Sequence, residues 1–394
     1  SSMKSVVQVL SFDLASKVIL GVLGILLIRY MPASDYAEYT LALALTAFVS
    51  QSVAATFNRI YIISSPKGHG EEWSLIGAQG MTIGLIIILG LPLIHELGHA
   101  YWLVAALVLA SCMSEFAKTY YQRDLKFMRF SLVEFFRSAL FFMGAFALTA
   151  ASGQQPSSEG MIAVQAASLM LVAWLALYRQ TPHWPATTFP AIRERLTRIV
   201  KGDYSLLFGY FFVLGIFTQT DIFMLKIVGD EAMLATYGSA FRYYSILSLA
   251  LGAVHTVLLP TIQRLSNHEE LRQVLKLHRR VLFAFAAVVV VVGWLGAWVI
   301  PWIDAGKYPS AVVTFRVLCA SAIISFAFSP HVNLLMRFER FKFLLGLILV
   351  ALVTHIVVSA TLIPLHGAFG AAISTASSAA IANLGIYVQS RRLI

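Results

Sequence analysis

Two groups of residues in this chain have types and spacings that could do chemistry. The first is the stretch HELGH, which places His95, Glu96 and His99 in the pattern H-E-x-x-H. On one face of a helix the two histidines would bind Zn²⁺ and the glutamate would activate a water, as in zinc proteases. The second is a scatter of ionisable residues inside long apolar runs. Asp13 and Lys17 are one helical turn apart in FDLASK, and Glu134 and Arg137 are similarly close in VEFFRS. Asp221 stands in FTQTDIFML, Arg242 in SAFRYYS and Arg316 in VTFRVLC, while Arg59 closes a further run after Asn58. Ionisable groups in such segments are expensive, so each points to a partner, a watered cavity or an ion path.

The composition says what must hold these residues. Of 394 residues, 59% are hydrophobic and only 12% charged, and the mean hydropathy is +0.78. Soluble domains carry about 25% charged residues. This chain cannot coat itself for water and reads as an all-α polytopic membrane protein. The net charge of +10 does not suggest nucleic acid, because the basic residues fall in short clusters between apolar runs, where they set topology. Cys112 and Cys319 both lie in apolar segments and offer neither a disulfide framework nor a metal spacing. There is no P-loop and no glycine-rich dinucleotide motif, so no cofactor is expected. No elbow surrounds any serine, and the reading is of a transporter rather than an enzyme.

A spanning helix needs about 20 apolar residues. About twelve candidate spans follow, at 5–29, 36–61, 73–94, 100–118, 127–150, 159–179, 203–227, 232–259, 278–302, 309–333, 342–363 and 367–389. The first is too long for the core of a cleavable signal and is expected to be retained. With the N-terminus in the cytoplasm, the inner connections hold 22 Lys and Arg, Lys67, Arg179 and Arg264 among them, and the outer ones hold 3, namely Arg29, Lys226 and Lys307. That bias puts both termini inside and requires an even number of spans. The expected organisation is an N-terminal six-helix lobe (1–180), a cytoplasmic amphipathic linker (181–202) and a C-terminal six-helix lobe (203–394). In the linker, Arg193, Arg195, Arg198 and Lys201 surround Ile192, Leu196, Ile199 and Val200, the pattern of a helix lying on the membrane surface.

Span length also decides how HELGH reads. One helix from 74 to 118 would be about 67 Å long, against a hydrocarbon core of about 30 Å. The chain must turn, and IHELGHA is the polar interruption available. A catalytic zinc would need a third ligand, and the Asp-Gly-type motif that intramembrane zinc proteases use is missing: Ala305 follows Asp304 and Glu231 follows Asp230. The motif is expected to be an outer interfacial turn with no metal; the protease is the remote alternative.

The in-span charges support two readings. In one, each pair neutralises itself as packing, and Arg242 pairs with Asp221. In the other, Lys17, Arg137, Arg242 and Arg316 form a cationic cavity for an anion held between the lobes. Phosphate is the natural ligand, because guanidinium forks bind its oxygens bidentately. Tyrosines beside arginines, Tyr243 in FRYYS and Tyr120 with Tyr121 in KTYYQRD, could stack on sugar rings; the alternative is an interfacial aromatic belt.

Three segments carry a resemblance. IRYMPASDYAEYTLALA resembles the first outer loop of polysaccharide flippases of the Wzx type, in the multidrug/oligosaccharidyl-lipid/polysaccharide exporter superfamily. TDIFMLKIVGDEAMLATYGSAFR resembles their seventh-helix Asp, loop and eighth-helix start, and LIPLHGAFGAAISTASSA their entry to the last helix. The first two also match each other weakly, each with a tyrosine, Tyr39 or Tyr237, opening the next apolar helix, which suggests parallel repeats with pseudo-two-fold symmetry. The resemblance implies a MATE-like, V-shaped, alternating-access exporter in the bacterial inner membrane. It implies an undecaprenyl-diphosphate-linked oligosaccharide as substrate, with membrane lipids and polysaccharide polymerase or export machinery as partners, and a functional monomer. It places Arg242 and Asp221 near the central cavity and gives Lys17 and Arg137 suitable positions; the residues themselves add Arg316, Arg59 and Tyr243 as further binding candidates. Asp13, Asp221 and Glu134 are the carboxylates that could couple transport to an ion gradient. Lipid II flippases usually have fourteen helices, which argues against that branch; a multidrug exporter is the alternative within the superfamily.

The topology is directly testable. Alkaline phosphatase fused after His99 should be active outside the membrane, and fused after Lys201 it should be inactive; the reverse pattern contradicts the assignment.

Overall fold

The computed structural model describes residues 3–63, 70–178, 189–263 and 265–393. Lys67, Arg179, Arg264 and residues 181–188 of the expected linker lie outside the described residues. Among the described residues there is helix and no strand. Lipid offers backbone N–H and C=O groups no partner, and a helix satisfies them within one segment.

The elements run as α1 (Met3–Tyr30), α2 (Ala33–Val49), a π-helical turn (Ser50–Ala54), α3 (Ala55–Ile63), α4 (Gly70–Leu89), α5 (Ile94–Leu97), α6 (Ala100–Arg123), α7 (Phe127–Ser152) and α8 (Ser158–Tyr178). They continue as α9 (Phe189–Lys201), α10 (Ser205–Val228), α11 (Glu231–Gln263), α12 (His268–Asp304), α13 (Ala311–Arg337), α14 (Phe341–His366) and α15 (Ala368–Arg391). Eleven helical runs are long and apolar enough to cross a membrane, α2 through α3 counting as one. With α11, 33 residues long, the described helices of spanning length match the twelve expected spans in order. The chain divides into two compact units, Ser1–Gly215 and Ile216–Ile394, with the division inside α10.

In the first unit, α9 is the amphipathic helix of the linker. Ile192 and Ile199 are buried, and Gly77 on α4 makes room for Ile192, whose Cδ1 would lie 2.7 Å from any Cβ added there. Arg195 Nε donates to Ser74 Oγ at 2.7 Å. The helix is therefore seated against α4. Val200, grouped above with the apolar face, is exposed: it lies one residue beyond Ile199, about 100° around the helix. The first half of α10 approaches α2 closely, since a Cβ on Gly215 would stand 2.9 Å from the Phe48 carbonyl oxygen. Small residues permit such backbone contact in membrane helices.

HELGH is a turn. Leu91–Leu93 form one 3₁₀ turn, Ile94–Leu97 one α turn, and Gly98 has φ +58° before α6 begins. That conformation suits glycine and ends the helix. His95 and His99 stand on either side of the break, both exposed. The helical face that a zinc protease requires is not formed. The hydroxyl of Tyr101 donates to the Ile87 carbonyl, tying the start of α6 to the end of α4.

In the second unit, α14 and α15 make a tight hairpin whose entry is LIPLHGAFGAA. Gly367 takes φ +61°, and a Cβ on Gly370 would lie 2.5 Å from the Leu362 carbonyl oxygen. The glycine spacing thus lets the two backbones touch. In α13, Pro330 supplies no N–H to Phe326. The Phe326 carbonyl accepts instead from Ser329 Oγ at 2.8 Å and lies 2.9 Å from Nε2 of His278 on α12.

Gly370→Ala should lower stability by about 1–3 kcal/mol through overpacking against a fixed carbonyl, while Gly346→Ala, which meets nothing within 4 Å, should be neutral or mildly stabilising. Thermal unfolding in detergent distinguishes them; equal melting temperatures would contradict the close-contact account.

Candidate functional site

In the first unit the helices pair their charges locally. Lys17 Nζ lies 2.9 Å from Asp13 Oδ2, both half-exposed on one face of α1. Glu134 on α7 holds two cations: Arg137 Nη2 at 3.3 Å on its own helix and Lys118 Nζ at 3.0 Å from α6. All three side chains are at most 20% exposed. Sequence spacing found the Glu134–Arg137 half of this cluster. It placed Lys118 at the cytoplasmic rim, because partners on separate helices leave no spacing signal. Lys118 also touches Glu115 at 3.5 Å and lies over the Phe130 ring, 5.1 Å from its centroid. Arg59 is half-buried in the middle of α3. Tyr121 is buried and donates to the Ala176 carbonyl at 2.8 Å, and Tyr120 stacks on Tyr61 with centroids 6.5 Å apart. These two tyrosines tie helices together.

In the second unit the polar focus is Asp221, buried on α10. The hydroxyl of Tyr237 on α11 donates to Oδ2, Thr375 on α15 donates to the same oxygen at 3.4 Å, and the Ile222 N–H donates to Oδ1 at 2.9 Å. Thr375 Oγ1 also lies 3.5 Å from Nε2 of His355 on α14, whose ring packs edge-on to Phe217. Three helices thus meet at this carboxylate, and α14 joins them through Thr375. His355 Nδ1 and Ser359 Oγ, one turn further on, are buried with no partner among the described residues. A carboxylate, hydroxyls and an imidazole suit a proton or a small hard cation. His355 was not anticipated: a single histidine in ALVTHIVVSAT resembles ordinary core polarity, and only the fold brings it near Asp221.

Asp221 does not pair with Arg242, so the self-neutralising reading fails for this pair. Arg242 is half-buried on α11, and its guanidinium has no carboxylate partner among the described residues. Tyr243 is buried and meets Phe315 edge-on, with centroids 6.1 Å apart. Arg316 is exposed on α13, and its Nε donates to the Gly293 carbonyl of α12 at 3.0 Å. No hydrogen bond or ion pair joins Lys17, Arg137, Arg242 and Arg316 to one another among the described residues.

No family model matches the chain, and no curated protein sequence matches it. Solved structures do. A lipid II flippase, MurJ, in an inward closed conformation superposes with a TM-score of 0.77 at 14% identity, over 97% of this chain and 87% of that one. An inward-facing multidrug resistance MATE family transporter of the MOP superfamily gives 0.71 at 13%, over 98% and 97%. A MOP superfamily transporter from Pyrococcus furiosus, described as having a binding pocket of reversed polarity, gives 0.60 at 14%, over 99% and 95%. The fold is therefore that of a multi-pass helical membrane transporter. More narrowly, it is the fold shared by lipid II flippases and multidrug exporters, the fold that the three sequence segments implied.

Glu134→Ala should destabilise the protein by about 3 kcal/mol, since it takes the carboxylate from Arg137 and leaves the largely buried Lys118 the longer contact to Glu115. Adding Lys118→Met should recover part of that loss in a double-mutant cycle. Additive effects in unfolding experiments would contradict the three-residue cluster.

Proposed function

We propose that this chain is a flippase carrying an undecaprenyl-diphosphate-linked oligosaccharide, an O-antigen or exopolysaccharide repeat unit, from the inner to the outer leaflet of the bacterial cytoplasmic membrane by alternating access. The observation that carries this reading is Arg242: a half-buried arginine in a membrane helix with no carboxylate partner among the described residues, in a chain with the fold of a lipid II flippase. A cation so placed attracts a diphosphate. It repels the cationic compounds common among multidrug substrates, which ranks the exporter reading second.

In this account Arg242 binds phosphate oxygens as a fork. Arg137 and Lys118 share Glu134, and Lys118 also meets Glu115, so both become available to the diphosphate only as these pairs loosen. Lys17 is available only when Asp13 releases it. Arg59, Arg316 and Tyr243 are secondary contacts for the diphosphate or the glycan. The prenyl tail stays in lipid, where its burial is favourable. Asp221 is the coupling carboxylate: a change in its protonation or cation occupancy alters its bonds to Tyr237 and Thr375, and so the packing of α10, α11 and α15. Asp13 and Glu134 are weaker coupling candidates because each is already held by a neighbouring cation. A polymerase acting on the outer leaflet would receive the product.

In a strain lacking the native gene, Arg242→Ala combined with Lys17→Ala should cut surface glycan at least tenfold, a loss of about 1.5 kcal/mol or more of binding. Arg242→Lys should retain an intermediate level. Full export by the double alanine variant, at normal membrane abundance, would contradict the proposal. Drug resistance on expression, with no glycan defect on deletion, would reverse the ranking.

A further inference from the structure

The second unit holds a further cationic site, away from Asp221 and Arg242 along the helices. A cavity of about 470 Å³ lies where the start of α12, the end of α13 and the end of α15 meet. Arg279 enters it from α12 and Arg391 from α15. Both are exposed, and neither pairs with a carboxylate among the described residues. No acidic residue lines the cavity.

The other polar groups are fixed from behind. His278 is buried, stacked on the Phe326 ring with centroids 5.0 Å apart, and its Nε2 meets the carbonyl that Pro330 leaves open. His331 Nδ1 lies 2.9 Å from Ser390 Oγ, and its ring stands edge-on to Tyr387 at 4.9 Å. The Arg391 guanidinium lies 5.6 Å from the centre of the same Tyr387 ring. Two guanidinium groups and an oriented imidazole therefore converge on a space without counter-charge. Their matching chemistry is phosphate, which guanidinium groups bind through several oxygens at once.

The remaining wall is apolar, with Leu282 and Ala327 on its bilayer side. Helix α12 has 37 residues and a length of about 55 Å, well beyond the hydrocarbon core of about 30 Å. Its apolar run begins at Val281, so Arg279 sits where the helix leaves the membrane. This is the face that the Lys/Arg bias assigns to the cytoplasm, the depth at which basic pockets between membrane helices hold anionic headgroups.

We infer that this cavity binds the phosphate of an anionic lipid, with the headgroup between Arg279 and Arg391 and an acyl chain along Leu282. The site does not depend on the transport substrate proposed above. Purified full-length protein, delipidated in detergent, can be titrated with phosphatidylglycerol, with phosphatidylcholine, and with inorganic phosphate alone, and bound lipid counted by native mass spectrometry. Phosphatidylglycerol should bind at least tenfold more tightly than phosphatidylcholine. Arg279→Gln with Arg391→Gln should remove most of that preference. Arg272→Gln with Arg280→Gln, which takes the same charge from nearby exposed positions of α12, should leave it within twofold. Equal losses in the two double variants would mean diffuse attraction and overturn the site, as would equal affinity for the two lipids. Displacement of lipid by inorganic phosphate at comparable concentration would reassign the cavity to free anions.

Discussion

Hydrocarbon solvates neither a charge nor a free peptide group, and the polar structure of this chain is organised by that constraint. Backbone groups meet it by helix formation throughout the spans. Side-chain charges meet it by local pairing: Asp13 with Lys17 along one helix, and Glu134 with Arg137 and Lys118 across two. The carbonyl that Pro330 leaves open is met by His278 and Ser329. Where a polar group has no such compensation among the described residues, as with Arg242 or the Nδ1 of His355, it is the exception that calls for a function.

The two units treat this constraint differently. In the first, carboxylates neutralise cations, and the visible result is packing. In the second, the buried carboxylate Asp221 is held by the hydroxyls of Tyr237 and Thr375 and by a backbone N–H, with no cationic side chain bonded to it among the described residues. The paired tyrosines of the sequence repeat illustrate the divergence. Tyr39 donates to Gln165 at 2.8 Å, a neutral partner, whereas Tyr237 donates to Asp221. Both tyrosines are buried, and the one in the second unit bonds to a carboxylate.

Much of the fold was legible in the sequence, because span length, basic clusters and breaking residues act locally. The HELGH turn followed from the length of a bilayer crossing, and Gly98 supplies the conformation that makes it. The glycines of LIPLHGAFGAA were legible as a motif, though their purpose, backbone contact between α14 and α15, appears only in three dimensions. The candidate site was less legible. Close spacing exposed Asp13–Lys17 and Glu134–Arg137, but Lys118 reaches Glu134 from another helix and His355 meets Thr375 across one. Asp221 was singled out as an ionisable residue within a span; its pairing with Arg242, one of the two readings that charge complementarity offered, is not found among the described residues.

The central claim is that a lipid-linked anionic glycan crosses the membrane through this protein. Purified protein reconstituted into vesicles with a fluorescent undecaprenyl-diphosphate oligosaccharide tests it most directly, with quenching of outer-leaflet fluorophore by dithionite as the readout. The account predicts that the quenchable fraction rises from about half toward completeness in vesicles containing the protein, and that Arg242→Ala abolishes the increase. Protection unchanged from protein-free vesicles, together with uptake of a cationic dye by the same preparation, would contradict it.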